Sequence, residues 1–248
     1  MRTSNPALSD KAFQMAIDYG SPVAASSMTL QGTVIKTAIL LGTAVIAAAF
    51  SWNQLVNGAD NAKLLMIGGA IGGFVASLVV IFKPTTAPWA APLYAVCEGL
   101  FLGAISAMYE SAYNGIVVQA ALLTAGTLGA LLLAYTTRII KATENFKLGV
   151  TAATGGIALV YMLSIILSFF GVKIPYLHES GLVGIGISLF IVGVAALNLV
   201  LDFDFIENGA ARGAPKYMEW YGAFGLMLTL VWLYIEMLRL LAKLSDRR

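Results

Sequence analysis

The stretch LLMIGGAIGGFVASLVVIF, residues Leu64–Phe82, decides the fold class. It carries no charged side chain and is about as long as a helix must be to cross a hydrocarbon layer of roughly 30 Å. A soluble core helix would show a charged face at the 3.6-residue period, whereas this run is apolar all round. Outward from it, six further blocks share its character: Thr37–Val56, Trp89–Tyr109, Gly115–Thr137, Leu148–Val172, Ser180–Leu201 and Tyr221–Ala242. Turn chemistry separates the blocks at Asn57-Gly58, Lys83-Pro84, Asn114-Gly115, Lys173-Ile174-Pro175 and Gly213-Ala214-Pro215. The 248 residues are 59% hydrophobic and 11% charged, against about 25% charged in soluble domains. The expectation is an all-α membrane protein, a bundle of seven transmembrane helices. Short connections predict that successive helices are antiparallel neighbours in one compact bundle.

Residues 1–32 are mixed and polar, and lack the apolar stretch of a signal peptide, so no cleavage is expected. Within them Ser9–Ile17 reads as a short capped helix at the membrane surface. The domain expectation is therefore a polar segment, 1–32, and a single transmembrane domain, 33–248. Lysine and arginine in short loops set orientation. One side receives nine, Arg2, Lys11, Lys36, Lys83, Arg138, Lys141, Lys147, Arg212 and Lys216, and the other only Lys63 and Lys173. The N-terminus is therefore expected in the cytoplasm, with Arg239, Lys243, Arg247 and Arg248 of the tail dissenting.

A net charge of +2 from dispersed basic residues gives no nucleic-acid footprint. One cysteine, Cys97, and one histidine, His178, cannot assemble a Cys/His zinc site. Cys97 reads as a small buried hydrophobe and His178 as a loop surface residue. Gly68, Gly69, Gly72 and Gly73 form two overlapping GxxxG pairs, with Gly155, Gly156, Gly184, Gly186 and Gly193 as further close-approach positions. No nucleophile–base pair, phosphate-cradling loop or metal cluster stands out. The expectation is a protein that is not an enzyme and carries no cofactor.

Ionisable side chains within a span cost several kcal/mol, so each one in a block is a candidate. Glu98 falls near the middle of Trp89–Tyr109, either as an uncharged hydrogen-bond donor between helices or as part of an ion route. Asn198 and Asp202, four apart, share a helical face, while Asp204 is rotated by about 200°. The plain alternative for Asp202 and Asp204 is the solvated end of a span. Glu236 precedes Arg239 by three residues, the spacing of a local ion pair. Thr229 and Glu236, seven apart, share one face of the last helix. Tyr217, Trp220 and Tyr221 read as an interfacial belt.

The segment Asn198-Leu199-Val200-Leu201-Asp202-Phe203-Asp204-Phe205-Ile206, the Glu98-Gly99 pair and the closing Met237-Leu238-Arg239-Leu240-Leu241 resemble the Bax inhibitor-1 family, in its bacterial branch. The resemblance spans the membrane region. It implies six helices around a central C-terminal helix and a pH-sensitive passive leak of calcium ions. It also implies a pair of aspartates, one ending helix six and one in helix seven, and an arginine in helix two that holds the closed state. Asp202 matches the first aspartate. Counting back ten residues from Arg239 puts Thr229 in place of the second, and Leu64–Phe82 has no arginine. Two nearby carboxylates repel, so one keeps its proton to higher pH; with Thr229 present, that pair needs Glu98 or Glu236 as its second member.

Two functions follow as expectations. One is a calcium leak gated by protonation of intramembrane carboxylates, with Asp202, Asn198, Thr229, Glu98, Glu236 and Asp204 on the ion path and Asp202 the candidate calcium contact. The other, which the resemblance also implies, is a non-conducting partner of a membrane-bound ATP-dependent protease, acting through the polar N-terminal segment. A proton-coupled transporter fits less well, because no pair of blocks is broken midway by proline. The expected surroundings are a lipid bilayer, that of the bacterial inner membrane, with calcium ions or protons as the permeant species.

Overall fold

The computed structural model describes residues 27–59, 62–171 and 179–247. The expected surface helix Ser9–Ile17, the Lys173-Ile174-Pro175 turn and His178 lie outside them. Among the described residues there are seven helices long and apolar enough to cross a membrane. They are α1 (Leu30–Val56), α2 (Ala62–Phe82), α3 (Ala87–Ala112), α4 (Ile116–Thr136), α5 (Glu144–Phe169), α6 (Leu182–Ala211) and α7 (Met218–Ser245). A 3-10 turn, Pro84–Thr86, leads into α3 with proline at its start, where a missing N–H costs nothing. The protein is an all-α, seven-span membrane protein.

Several helices outrun their apolar blocks, and at α1, α6 and α7 the cause is local. α1 begins at Leu30 because Thr29 caps it, its Oγ1 accepting from Gly32 N at 2.9 Å. α6 continues through Asp202 and Asp204 to Ala211, and Gly213 then turns the chain at φ 68. α7 begins at Met218, which draws Trp220 and Tyr221 into a helix. Tyr221 is fully buried, its ring 6.2 Å from that of Phe205, so it is no part of an interfacial belt.

The described chain divides into two compact units, 27–112 with 204–228, and 113–203 with 229–247. In the first unit α3 packs against both α1 and α2, which scarcely meet each other. Successive helices are thus not always neighbours, contrary to the expectation from short connections. Glycine explains the choice. A Cβ on Gly69 of α2 would stand 2.6 Å from the Cys97 carbonyl oxygen, and one on Gly99 or Gly103 of α3 would strike the backbone of α1 at Ala44 or Ala48. Close backbone approach replaces the hydrophobic drive that lipid removes.

In the second unit Ile157, Ile191 and Val194 form a core against which Tyr161, Ile187 and Trp232 pack. Here the glycine expectation fails. Gly155, Gly156, Gly186 and Gly193 face open space, so they are not close-approach positions. Among the seven described spans α7 is the most enclosed, with 61% of its most apolar window buried, and α5 the least, with 6%. Polar side chains on α7 therefore meet protein, where they need partners.

Candidate functional site

The second unit brings three of the sequence candidates onto the inward side of α6 and α7. Asp202 is 0% exposed and Asn198 3% on α6, while Thr229 on α7 is 2% exposed. Asp202 is therefore not the solvated end of a span; nine further helical residues follow it. Asn198 Nδ2 donates to Thr154 Oγ1 of α5 and to the Val194 carbonyl, each at 2.8 Å, which holds its amide against α5 and the preceding turn of α6.

Glu236 continues this polar face along α7. Its Oε1 accepts from Arg239 Nη1 and from Tyr161 Oη of α5, both at 2.8 Å. Arg239 Nη1 also donates to Tyr161 Oη at 2.6 Å, and its guanidinium carbon lies 5.3 Å from that ring's centroid. The ion pair that the three-residue spacing predicts is present, inside the protein rather than at an interface: Glu236 is 1% exposed. One turn on, Lys243 is 5% exposed and donates to the Gly184 carbonyl and Ser188 Oγ of α6. Past the helix, Asp246 accepts from Ser180 Oγ at 2.6 Å and Tyr113 Oη at 2.5 Å. Those two bonds, Ser180's foremost, hold its carboxyl below the ordinary value.

The first unit holds the other two candidates and one centre that the sequence reading missed. Glu98 on α3 lies against Gly73 of α2, where a Cβ would come within 2.9 Å of its Oε2. The small residue makes the room this carboxylate occupies. Asp204 is partly exposed, and its backbone carbonyl accepts from Asn208 Nδ2 at 2.7 Å. The missed centre is Glu219, 0% exposed at the start of α7. Its carboxylate accepts from Thr29 N at 2.9 Å, Thr29 Oγ1 at 2.8 Å and Lys216 at 2.8 Å, and pairs with Lys36. Met28 N donates to the Ala214 carbonyl at 2.7 Å, so the entry to α1 is strapped to the loop before α7.

Tyr161 and Glu219 escaped the sequence reading for different reasons. Tyr161 carries no charge, and its only trace is that it follows Thr154 by seven residues on one face of α5. Glu219 reads as a loop residue because its turn is polar and the cap of α1 is invisible from composition. Among the described residues no group of three or more histidine, cysteine or acidic side chains is placed to hold a metal ion.

No curated protein and no solved structure matches the chain. A family model described as Bax inhibitor 1 like matches residues 5–246, nearly its full length. That match covers both units and every candidate residue above, and with it the chain belongs to the Bax inhibitor 1 like family.

Proposed function

We propose that the protein is a passive cation leak, with calcium as its main ion, gated by protonation of Asp202 within the membrane. The observation that carries this reading is the complete burial of Asp202 inside α6, with Asn198 one turn before it on the same face. An enclosed carboxylate in a span is rare without a functional reason. A proton and a metal ion compete for the same two oxygens, which couples occupancy by one to the pH that sets the other. Asp202, the Asn198 carbonyl oxygen and Thr229 supply fewer donors than the six to eight that a resident calcium ion takes. A thin donor set suits an ion that passes, because conduction needs binding weak enough to release. The setting is the inner membrane of a bacterium, with the N-terminus in the cytoplasm.

The test is calcium-indicator flux into liposomes holding the purified chain, scanned over roughly pH 5 to 8. The expected result is a flux that changes with pH in the parent and is severalfold smaller and pH-flat in Asp202→Asn. No flux at any pH from demonstrably folded protein would sink the leak and leave the non-conducting interaction protein as the better reading.

A further inference from the structure

A threonine inside a helix commonly donates its hydroxyl to the carbonyl four residues back, and Thr33, Thr37, Thr43 and Thr136 do so here. Thr151 of α5 does not. Its Oγ1 is buried and has no hydrogen-bond partner among the described residues. A buried hydroxyl left in that state is costly, and a native structure keeps one for a reason. Thr151 lies in the same unit as Asp202, and the bond from Asn198 of α6 to Thr154 of α5 sets the register of their two helices. Successive spans run antiparallel, so three residues back from Thr154 and four residues on from Asn198 lead the same way. The first step is about 4.5 Å and ends at Thr151; the second is about 6 Å and ends at Asp202. Each step also keeps its helical face. The orphan hydroxyl and the Asp202 carboxylate therefore lie at one depth, within about 1.5 Å.

We propose that Thr151 Oγ1 is an oxygen ligand of the cation that pauses at Asp202, which makes Thr151 a specificity-determining residue of the path. The proposal rests on the leak described above and names a further member of its site. Calcium takes carboxylate oxygens together with neutral oxygens and water, and neutral oxygens are what the set of Asp202, Asn198 and Thr229 is short of. A hydroxyl that donates to no carbonyl can present its lone pairs to a cation without first breaking a bond. Oxygens on one calcium ion stand about 3 to 5 Å apart, given ion–oxygen distances of about 2.3 to 2.6 Å, so they share the ion without bonding each other. Thr151 Oγ1 meets that condition, since it bonds to nothing described, the Asp202 carboxylate included.

Two readouts on the full chain separate this site from the leak. One is the thermal midpoint of the purified protein in detergent with and without millimolar calcium chloride, because an ion bound to the folded state raises it. The other is calcium flux into liposomes as a function of calcium concentration. The parent's midpoint should rise with calcium, and Asp202→Asn should abolish the rise. Thr151→Val keeps the shape and removes a hydroxyl that has no bond, so without calcium it should melt no lower than the parent. It should nevertheless lose most of the calcium response, and its half-saturating calcium concentration for flux should climb severalfold. Thr151→Ser, which keeps the oxygen, should stay near the parent in both. A midpoint response that needs both Asp202 and Thr151, with no flux from any form, keeps the site and removes the leak. Thr151→Val equal to the parent in both readouts overturns the site, whatever Asp202→Asn does to flux.

Discussion

Removing the Glu219 carboxylate strands the donors of three residues at once: Lys36, Thr29 and Lys216. Lys36 is the costlier one, because only 16% of its side chain is exposed and water replaces little of what it loses. Lys216 is 43% exposed and water replaces much of what it loses. Glu219→Ala should therefore lower the thermal midpoint in detergent by several degrees, and Lys216→Ala should scarcely change it. Equal effects in the two variants would mean that the strap at α1 contributes little. Asp246 gives a second expectation at this scale. A carboxyl held below its ordinary value stabilises the fold above that value, and the contribution is lost only as the pH falls through the lowered one. Between about pH 5 and 8 the bonds from Ser180 and Tyr113 are thus fully formed. Asp246→Asn should leave the shape of the pH–flux curve intact over that range; a flattened curve would move the sensor to this clasp.

At the scale of elements, the apolar blocks located all seven helices, because a run of about 20 uncharged residues has one outcome in lipid. Their ends were less legible. Caps such as Thr29, and polar turns continued by tertiary partners, extend α1, α6 and α7 beyond their apolar limits. That is why Asp202 read as a border residue and is an interior one. Glycine spacing marked where helices approach but not which glycine does it. Gly68 faces open space, whereas Gly69, its neighbour, lies on the backbone of α3. Gly69→Ala should cost about 1 to 3 kcal/mol of stability, measured as loss of resistance to unfolding in detergent, and Gly68→Ala close to nothing. Similar losses at both would contradict the α2–α3 contact described.

For the whole molecule, an odd number of spans puts the two termini on opposite sides of the bilayer. The four basic residues of the tail opposed a cytoplasmic N-terminus when charges were counted along the sequence. In the structure Arg239 is held by Glu236 and Tyr161, and Lys243 by α6. The loop asymmetry predicts the N-terminus within. A membrane-impermeant thiol reagent should reach a cysteine placed after Arg248 from outside intact cells and miss one placed before Thr3. The reverse pattern would invert the orientation. The candidate site was half legible: Asp202, Asn198, Thr229 and Glu236 stand out as polar residues in apolar runs, but Tyr161 and Ser188 are ordinary in any helix and gain meaning from what they face.

The strap between the first and last helices also sets an order of events during biosynthesis. Thr29 and Lys36 leave the ribosome long before Glu219 exists, since chains grow at about 5 to 20 residues per second from the N-terminus. Until the final helix is inserted, the first one holds a lysine at the membrane border whose carboxylate has not yet been made. A nascent chain interrupted before Met218 therefore displays an unfinished helix start, the kind of exposed polarity on which a quality-control protease can act. Insertion of α7 hides it, so a span made late completes the start of one made early.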